Sequence, residues 1–218
     1  MKKITALAAA LGALTITAAH AASLTIAPDA DGTVQVFGGD SVITDDASLN
    51  VTQSGGLARN AIFEFDLSGI GDDATITGAT FSITLSRFVS NTGGNPAAVD
   101  LFAYGGDGVI DISDFGAAGA QVVDTTIPAG GSGGTVFDFT FTDVATLQSL
   151  LVSDLLTLRM ETDSFASIAI QALEASNGGA ASLTINFDVP NGPAIPIPAA
   201  AWLFAAGLGG ILRFRSKR

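Results

Sequence analysis

The residue types able to do chemistry in this chain are almost all carboxylates. Between residues 22 and 194 there is no histidine, cysteine or lysine. The cations there are Arg59, Arg87 and Arg159, set against all 21 Asp and Glu residues, which leaves a net charge of −18. Without histidine the segment has no Ser-His-Asp triad and no imidazole base. Without cysteine it has no thiol nucleophile, disulfide framework or Cys/His zinc site, and without lysine no Schiff-base chemistry. The charge argues against nucleic acid and anionic membranes as partners and keeps copies of the domain apart.

Carboxylates hold hard cations or, in pairs, hydrolyse glycosides. The run Gly106-Asp107-Gly108-Val109-Ile110-Asp111-Ile112-Ser113-Asp114 resembles the second half of a calcium loop of the EF-hand or dockerin type, with Asp107, Asp111 and Asp114 as its ligands. The two earlier ligand positions fall on Ala103 and Gly105, and helices do not flank the loop, so a full EF-hand is excluded. What remains is a partial calcium site completed by backbone carbonyls, or an Asp/Gly-rich connection between strands. Asp29, Asp31, Asp45 and Asp46 offer calcium ligands as well, but read most simply as solvated acidic turns. Glu64, Glu161 and Glu174 are the only glutamates, and nothing in their spacing brings two of them to the roughly 5–10 Å of a glycosidase pair. No catalytic residue is expected, and no cofactor beyond calcium. For saccharide binding the one tyrosine before the C-terminal tail, Tyr104, is the ligand candidate, with Phe88, Phe102, Phe115 and Phe165 as further platforms.

The elements that must position these groups are strands. Phe63, Phe65 and Leu67 alternate with Glu64 and Asp66, and Phe81, Ile83 and Leu85 with Ser82, Thr84 and Ser86. The same period recurs at 137–141, 156–161 and 183–188, with weaker strands at 23–27, 33–37, 48–52, 97–104, 121–127 and 167–172. One greasy and one polar face per strand fits antiparallel sheets with a single buried side. The spacing predicts an all-β, antiparallel, jelly-roll-like β-sandwich. It carries one short helix, capped by Asp143 and packed through Val144, Leu147, Leu150 and Leu151.

Both ends read as addresses. Lys2 and Lys3, the apolar run 4–18 and Ala19-His20-Ala21 before Ala22 have the layout of a signal helix and its cleavage site, so 1–21 is expected to be removed by signal peptidase. At the other end Ile195-Pro196-Ile197-Pro198-Ala199 precedes an uncharged run, 199–212, and the basic residues Arg213, Arg215, Lys217 and Arg218. That run is shorter than the roughly 20 residues of a comfortable membrane span. The motif, hydrophobic helix and basic end resemble the PEP-CTERM family of sorting tails, in its Val-Pro-Leu-Pro-Ala variant. The resemblance implies an exosortase-type protease, transient anchoring in the inner membrane of a Gram-negative-type bacterium, and release to the cell surface or medium. An uncut tail anchor is the alternative. The chain thus divides into 1–21, a β-sandwich at 22–190 and a sorting tail at 191–218.

Within the core, Arg59-Asn60-Ala61-Ile62-Phe63-Glu64-Phe65-Asp66-Leu67-Ser68 and Ala74-Thr75-Ile76-Thr77-Gly78-Ala79-Thr80-Phe81 are similar to the opening of DNRLRE-type jelly-roll domains. That resemblance implies a non-catalytic module, in some cases polysaccharide-binding. Together the readings give an exported, non-enzymatic β-sandwich of the cell surface or extracellular matrix. The alternative is a carbohydrate-binding module, calcium-assisted, for extracellular polysaccharide.

Overall fold

The computed structural model describes residues 20–87, 90–91, 94–176 and 179–190, and the compact unit runs Ala21–Val189. The chain opens with β1 (His20–Ile26), β2 (Ala30–Val36), β3 (Ser41–Ile43), β4 (Ser48–Ser54), β5 (Leu57–Asp66) and β6 (Thr75–Thr84). It continues with β7 (Ser90–Asn91), β8 (Ala97–Tyr104), β9 (Ala120–Ile127) and β10 (Val136–Thr140). A helix, α1 (Ala145–Leu150), then leads to β11 (Leu155–Glu161), β12 (Ala166–Gln171) and β13 (Ser182–Val189). The N-cap of α1 is Val144, with no side-chain cap, rather than the expected Asp143, which accepts the Ala145 amide at 2.8 Å from one residue further out; Leu147 is the helix residue fully buried.

The strands form a four-stranded sheet, β1-β13-β6-β10, and a nine-stranded sheet, β7-β12-β4-β5-β11-β8-β9, with β2 and β3 attached through β5. β5 has three partners: β2 opposite Ala58 to Glu64, β4 opposite Leu57 to Arg59, and β11 opposite Ala61 to Asp66. The sheets meet across a dry core in which Phe81 of β6 packs edge-on to Phe63 and Phe65 of β5, at 5.0 and 6.2 Å between ring centres. Phe139 stacks on its other side at 6.4 Å. A bridge between Leu85 and Ile170 joins the end of β6 to β12, so the sheets are continuous at that corner. This is the all-β domain with one short helix that the alternation dictates.

Two expectations need correction. A jelly roll divides eight strands between two Greek keys, whereas here the sheets hold four and nine strands, because β5 takes a third partner and the β8–β9 hairpin extends the larger sheet. Among the described residues no helix is long and apolar enough to cross a membrane. The transmembrane helix and the inner-membrane attachment built on it therefore gain no support. The expected hydrophobic helix 199–212, the motif residues Ile195, Pro196, Ile197, Pro198 and Ala199, and Arg213, Arg215, Lys217 and Arg218 lie outside the described residues, as do Ala19 and most of the expected signal helix. Ala21 and Ala22 fall inside β1, because Ala22, Leu24 and Ile26 alternate onto the core.

Asp31 on β2 is almost fully buried, and its Oδ2 accepts the Leu173 amide at 2.9 Å while Oδ1 has no partner. Burial pushes this carboxyl up to about 6 from 3.8, with the nearby Glu174 charge adding to the rise and the Leu173 amide opposing it. The folded state therefore holds this proton more tightly than the unfolded chain. Its stabilisation is complete below the unfolded value and is lost as pH rises through about 6. Asp31→Asn is expected to gain on the parent by about 2–3 kcal/mol between pH 4 and 7. Urea unfolding of both proteins across that range checks it, and a difference that stays constant with pH contradicts it.

Candidate functional site

The odd-numbered residues Ala61, Phe63 and Phe65 of β5 enter the inter-sheet core, so Asn60, Ile62 and Glu64 lie on the opposite face. That face is also buried, with Glu64 and Asn60 each 5 % exposed. The cover is the β8–β9 connection, residues 105–119, which lies over it as a strap. Its 3-10 turn, Ile112–Gly116, packs on β2 and β5. Gly32 admits it, since a Cβ there would press on Ile110 of the strap at 3.2 Å. The strap is tied by Asn60 Nδ2, which donates to the Phe115 carbonyl at 3.1 Å, and by Arg159 Nη1, which donates to the Ala117 carbonyl at 2.6 Å.

The sequence-derived ligands are strap residues, and the structure uses their oxygens locally. Asp111 caps the 3-10 turn by accepting from the Ser113 amide and hydroxyl at 2.7 and 2.6 Å, and the hydroxyl and then the amide hold its carboxyl below the usual range. Asp114 Oδ2 accepts the Asp111 amide at 2.8 Å and Oδ1 accepts the Tyr104 hydroxyl at 2.9 Å. Asp107 accepts the Val109 amide at 3.0 Å. Tyr104 is half-buried against this turn, and burial followed by the Asp114 hydrogen bond pushes its phenol far above the ordinary value. Tyr104, Asp111 and Asp114 thus form one hydrogen-bonded chain. These carboxylates are not the ones the structure gathers into a ligand set.

That set lies at the other end of the same face. Asp100 of β8, Glu161 at the end of β11 and Asp163 in the following turn each offer a carboxylate oxygen, all within 4.8 Å of one another. Asp100 and Glu161 are cross-strand partners. Asp163 is brought in because the 162–164 turn grips β8, with Ser164 Oγ accepting the Ala98 amide at 2.9 Å. Gln121 Nε2 donates to Asp100 Oδ1 at 2.7 Å, and Arg159 Nε donates to Glu161 Oε2 at 3.1 Å. Burial, and then the neighbouring acids, hold Asp100 above its ordinary value, against the Gln121 hydrogen bond. Glu161 is raised likewise by burial, with Asp100 and Asp163 adding to the rise and Arg159 opposing it. Oxygen donors and surplus negative charge are what a hard cation requires.

Beside the triad a cavity of about 250 Å³ is lined by Gln53, Asn60, Phe115, Glu161, Thr162 and Asp163. It has amide and hydroxyl handles and one aromatic wall, supplied by the strap. Glu64 sits opposite Thr157 and Glu161 opposite Asp100, which places the two glutamates about 13 Å apart along the sheet. Glu174 lies near Asp31 instead. Asp100 and Asp163 were not singled out from sequence. The available signal was an acid inside the apolar strand 97–104, and nothing local pairs it with the turn after β11.

No family model matches this chain, and no curated protein matches it. The sorting-tail and export reading is corrected accordingly: neither a signal nor a PEP-CTERM-like tail finds a matching family model. Among solved structures, that of the infectious bursal disease virus Gx strain is similar over 79 % of this chain and 41 % of its own, at 13 % identity and a TM-score of 0.20. A likeness at that score carries no argument about fold or function.

Arg159 is the cation that ties strap to triad. It is 7 % exposed, and its guanidinium also lies 4.8 Å over the Phe102 ring. Arg159→Met keeps the stem's packing but strands the Ala117 carbonyl and leaves Glu161 unopposed. The expected loss is about 2–3 kcal/mol, read by chemical unfolding. A variant as stable as the parent contradicts this account.

Proposed function

We propose that this domain is a non-catalytic β-sandwich module that takes up a hard divalent cation, calcium in the first instance, between Asp100, Glu161 and Asp163. The observation that carries the reading is the convergence of three carboxylate oxygens within 4.8 Å, two of the residues on adjacent rigid strands. Like charges at that separation repel, and a cation relieves the repulsion. In this reading the cation locks the 162–164 turn to β8 and stiffens a structural or adhesive module.

The adjoining cavity favours a second reading, a calcium-assisted saccharide-binding module. Three protein carboxylates leave open coordination positions on an ion that takes six to eight oxygens. Sugar hydroxyls fit those positions, with Gln53, Asn60 and Thr162 as polar handles and Phe115 as the aromatic wall.

Calorimetric titration with calcium is expected to show one site that Asp100→Asn/Asp163→Asn removes. Unchanged heats in that double variant overturn the cation reading. Repeating the titration with soluble polysaccharides, with and without calcium, separates the two readings. Binding that needs both calcium and Asn60 supports the saccharide module, and calcium binding without saccharide binding leaves the structural one.

A further inference from the structure

The surface at the β4–β5 turn departs in charge from the rest of the domain. Residues 32–39, 47–58 and 164–173 contain no Asp, Glu, Lys or Arg, although residues 22–194 carry a net −18. Strand register brings the three stretches side by side. Ala166 on β12 lies opposite Gln53 on β4, Gln53 opposite Ala58 on β5, and Ala58 opposite Val36 on β2. Four strands abreast span about 15 Å. Phe165 stands one residue before Ala166 at one side of this row, and Phe37 one residue after Val36 at the other.

These are the two phenylalanines exposed among the described residues, at 60 % and 66 %. Both are held in place. Phe165 is the middle residue of a turn closed by the Ala166 amide, which donates to the Ser164 carbonyl at 2.7 Å, and Ser164 is itself fastened to β8. Phe37 has a φ of 65°, left-handed backbone that a bulky side chain enters only under strain. Gln35 Nε2 spans its turn by donating to the Gly39 carbonyl at 3.1 Å, and Arg59 Nε donates to Gln35 Oε1 at 2.7 Å. The fold thus bears strain to present a ring that adds nothing to the core. Between the two rings the tip is Gly55-Gly56, where a Cβ on either residue would meet open space.

We propose that Phe37 and Phe165 are the two platforms of a binding strip for an uncharged polysaccharide chain, which lies across the Gly55-Gly56 tip. The negative face of an aromatic ring attracts the C–H faces of sugar rings. Sugar hydroxyls pair with the bared backbone of the tip and with the Ser54 hydroxyl. Neutrality decides the class of chain. A polyanion is repelled by the domain's overall charge, as is a second copy of it, and a cationic peptide finds no carboxylate in the strip. A bilayer would leave the tip's backbone groups unpaired. Turns already fixed before binding lose little freedom on it. The strip needs neither the acid triad nor its cation, so it stands apart from both readings above.

The test is native electrophoresis of the unaltered protein through gels holding mixed-linkage β-glucan, galactomannan, glucomannan or dextran, with alginate as the polyanion, in calcium and in EDTA. Retardation by at least one uncharged polymer, equal in calcium and EDTA, is expected, and none by alginate. Phe37→Asn and Phe165→Ala should each weaken that binding about tenfold or more, while Asp100→Asn/Asp163→Asn leaves it unchanged. Asparagine is at home at positive φ, so Phe37→Asn should unfold at the parent's urea midpoint or above it. A lower midpoint would make the ring a packing residue and overturn the proposal. Passage of the protein unretarded through all four uncharged polymers overturns it too, as does retardation that needs calcium or that either phenylalanine variant retains. Sedimentation with phosphatidylcholine vesicles, or a dimer that Phe37→Asn dissolves, assigns the strip to a different occupant and likewise overturns it.

Discussion

β5 is buried on both faces, and the rest of the architecture answers to that constraint. Strand alternation sends Ala61, Phe63 and Phe65 one way and Asn60, Ile62 and Glu64 the other, with no third direction available. The first set packs the two sheets together around Phe81. The second must also be covered, or a strand at the centre of the larger sheet would expose Ile62 and leave half its width wet. The 105–119 strap supplies that cover, and its path fixes where Tyr104, Asp114, Phe115 and Ala117 sit. Three strands pair with β5, so its register sets theirs. The cross-strand partners of Glu64 and Ile62 on β11 are Thr157 and Arg159.

The covered face is polar, which is unusual for a second buried layer. It holds Glu64, Asn60, Thr157, Arg159, Asp100 and Asp114. Arg159 alone among the described residues is a buried cation there, and it is shared between Glu161 and two strap carbonyls. Carboxylates enclosed with so little compensation shift toward their neutral forms, as Glu64, Asp100 and Glu161 do. Like charges thus crowd the face in two places, the triad at one end and Glu64 with Asp114 and Asp107 at the other.

Much of the sheet was legible from residue order. Phe81, Ile83 and Leu85 alternate against serine and threonine, and β6 is there; Leu183, Ile185 and Phe187 do the same, and β13 is there. The short strands Ser41–Ile43 and Ser90–Asn91 were not legible, because two or three residues carry no period and form only when a partner edge is offered. The Asp107–Asp114 run resembles half of a calcium loop by the positions of its acids. In the fold Asp111 caps a 3-10 turn, Asp114 accepts the Asp111 amide and the Tyr104 hydroxyl, and Asp107 accepts the Val109 amide.

Composition determined what the domain does without: no imidazole, thiol or amine enters its chemistry between residues 22 and 194. Alternation determined that it would be built of strands with one short helix, since side-chain period is a local property of the backbone. The meeting of Asp100 with Asp163, and of Glu64 with Thr157, was decided only in the tertiary structure. Each pair joins residues from strands or turns far apart in sequence. Their proximity depends on strand order and register, which are set by how β5 shares its two faces and not by any residue adjacent to them in the chain.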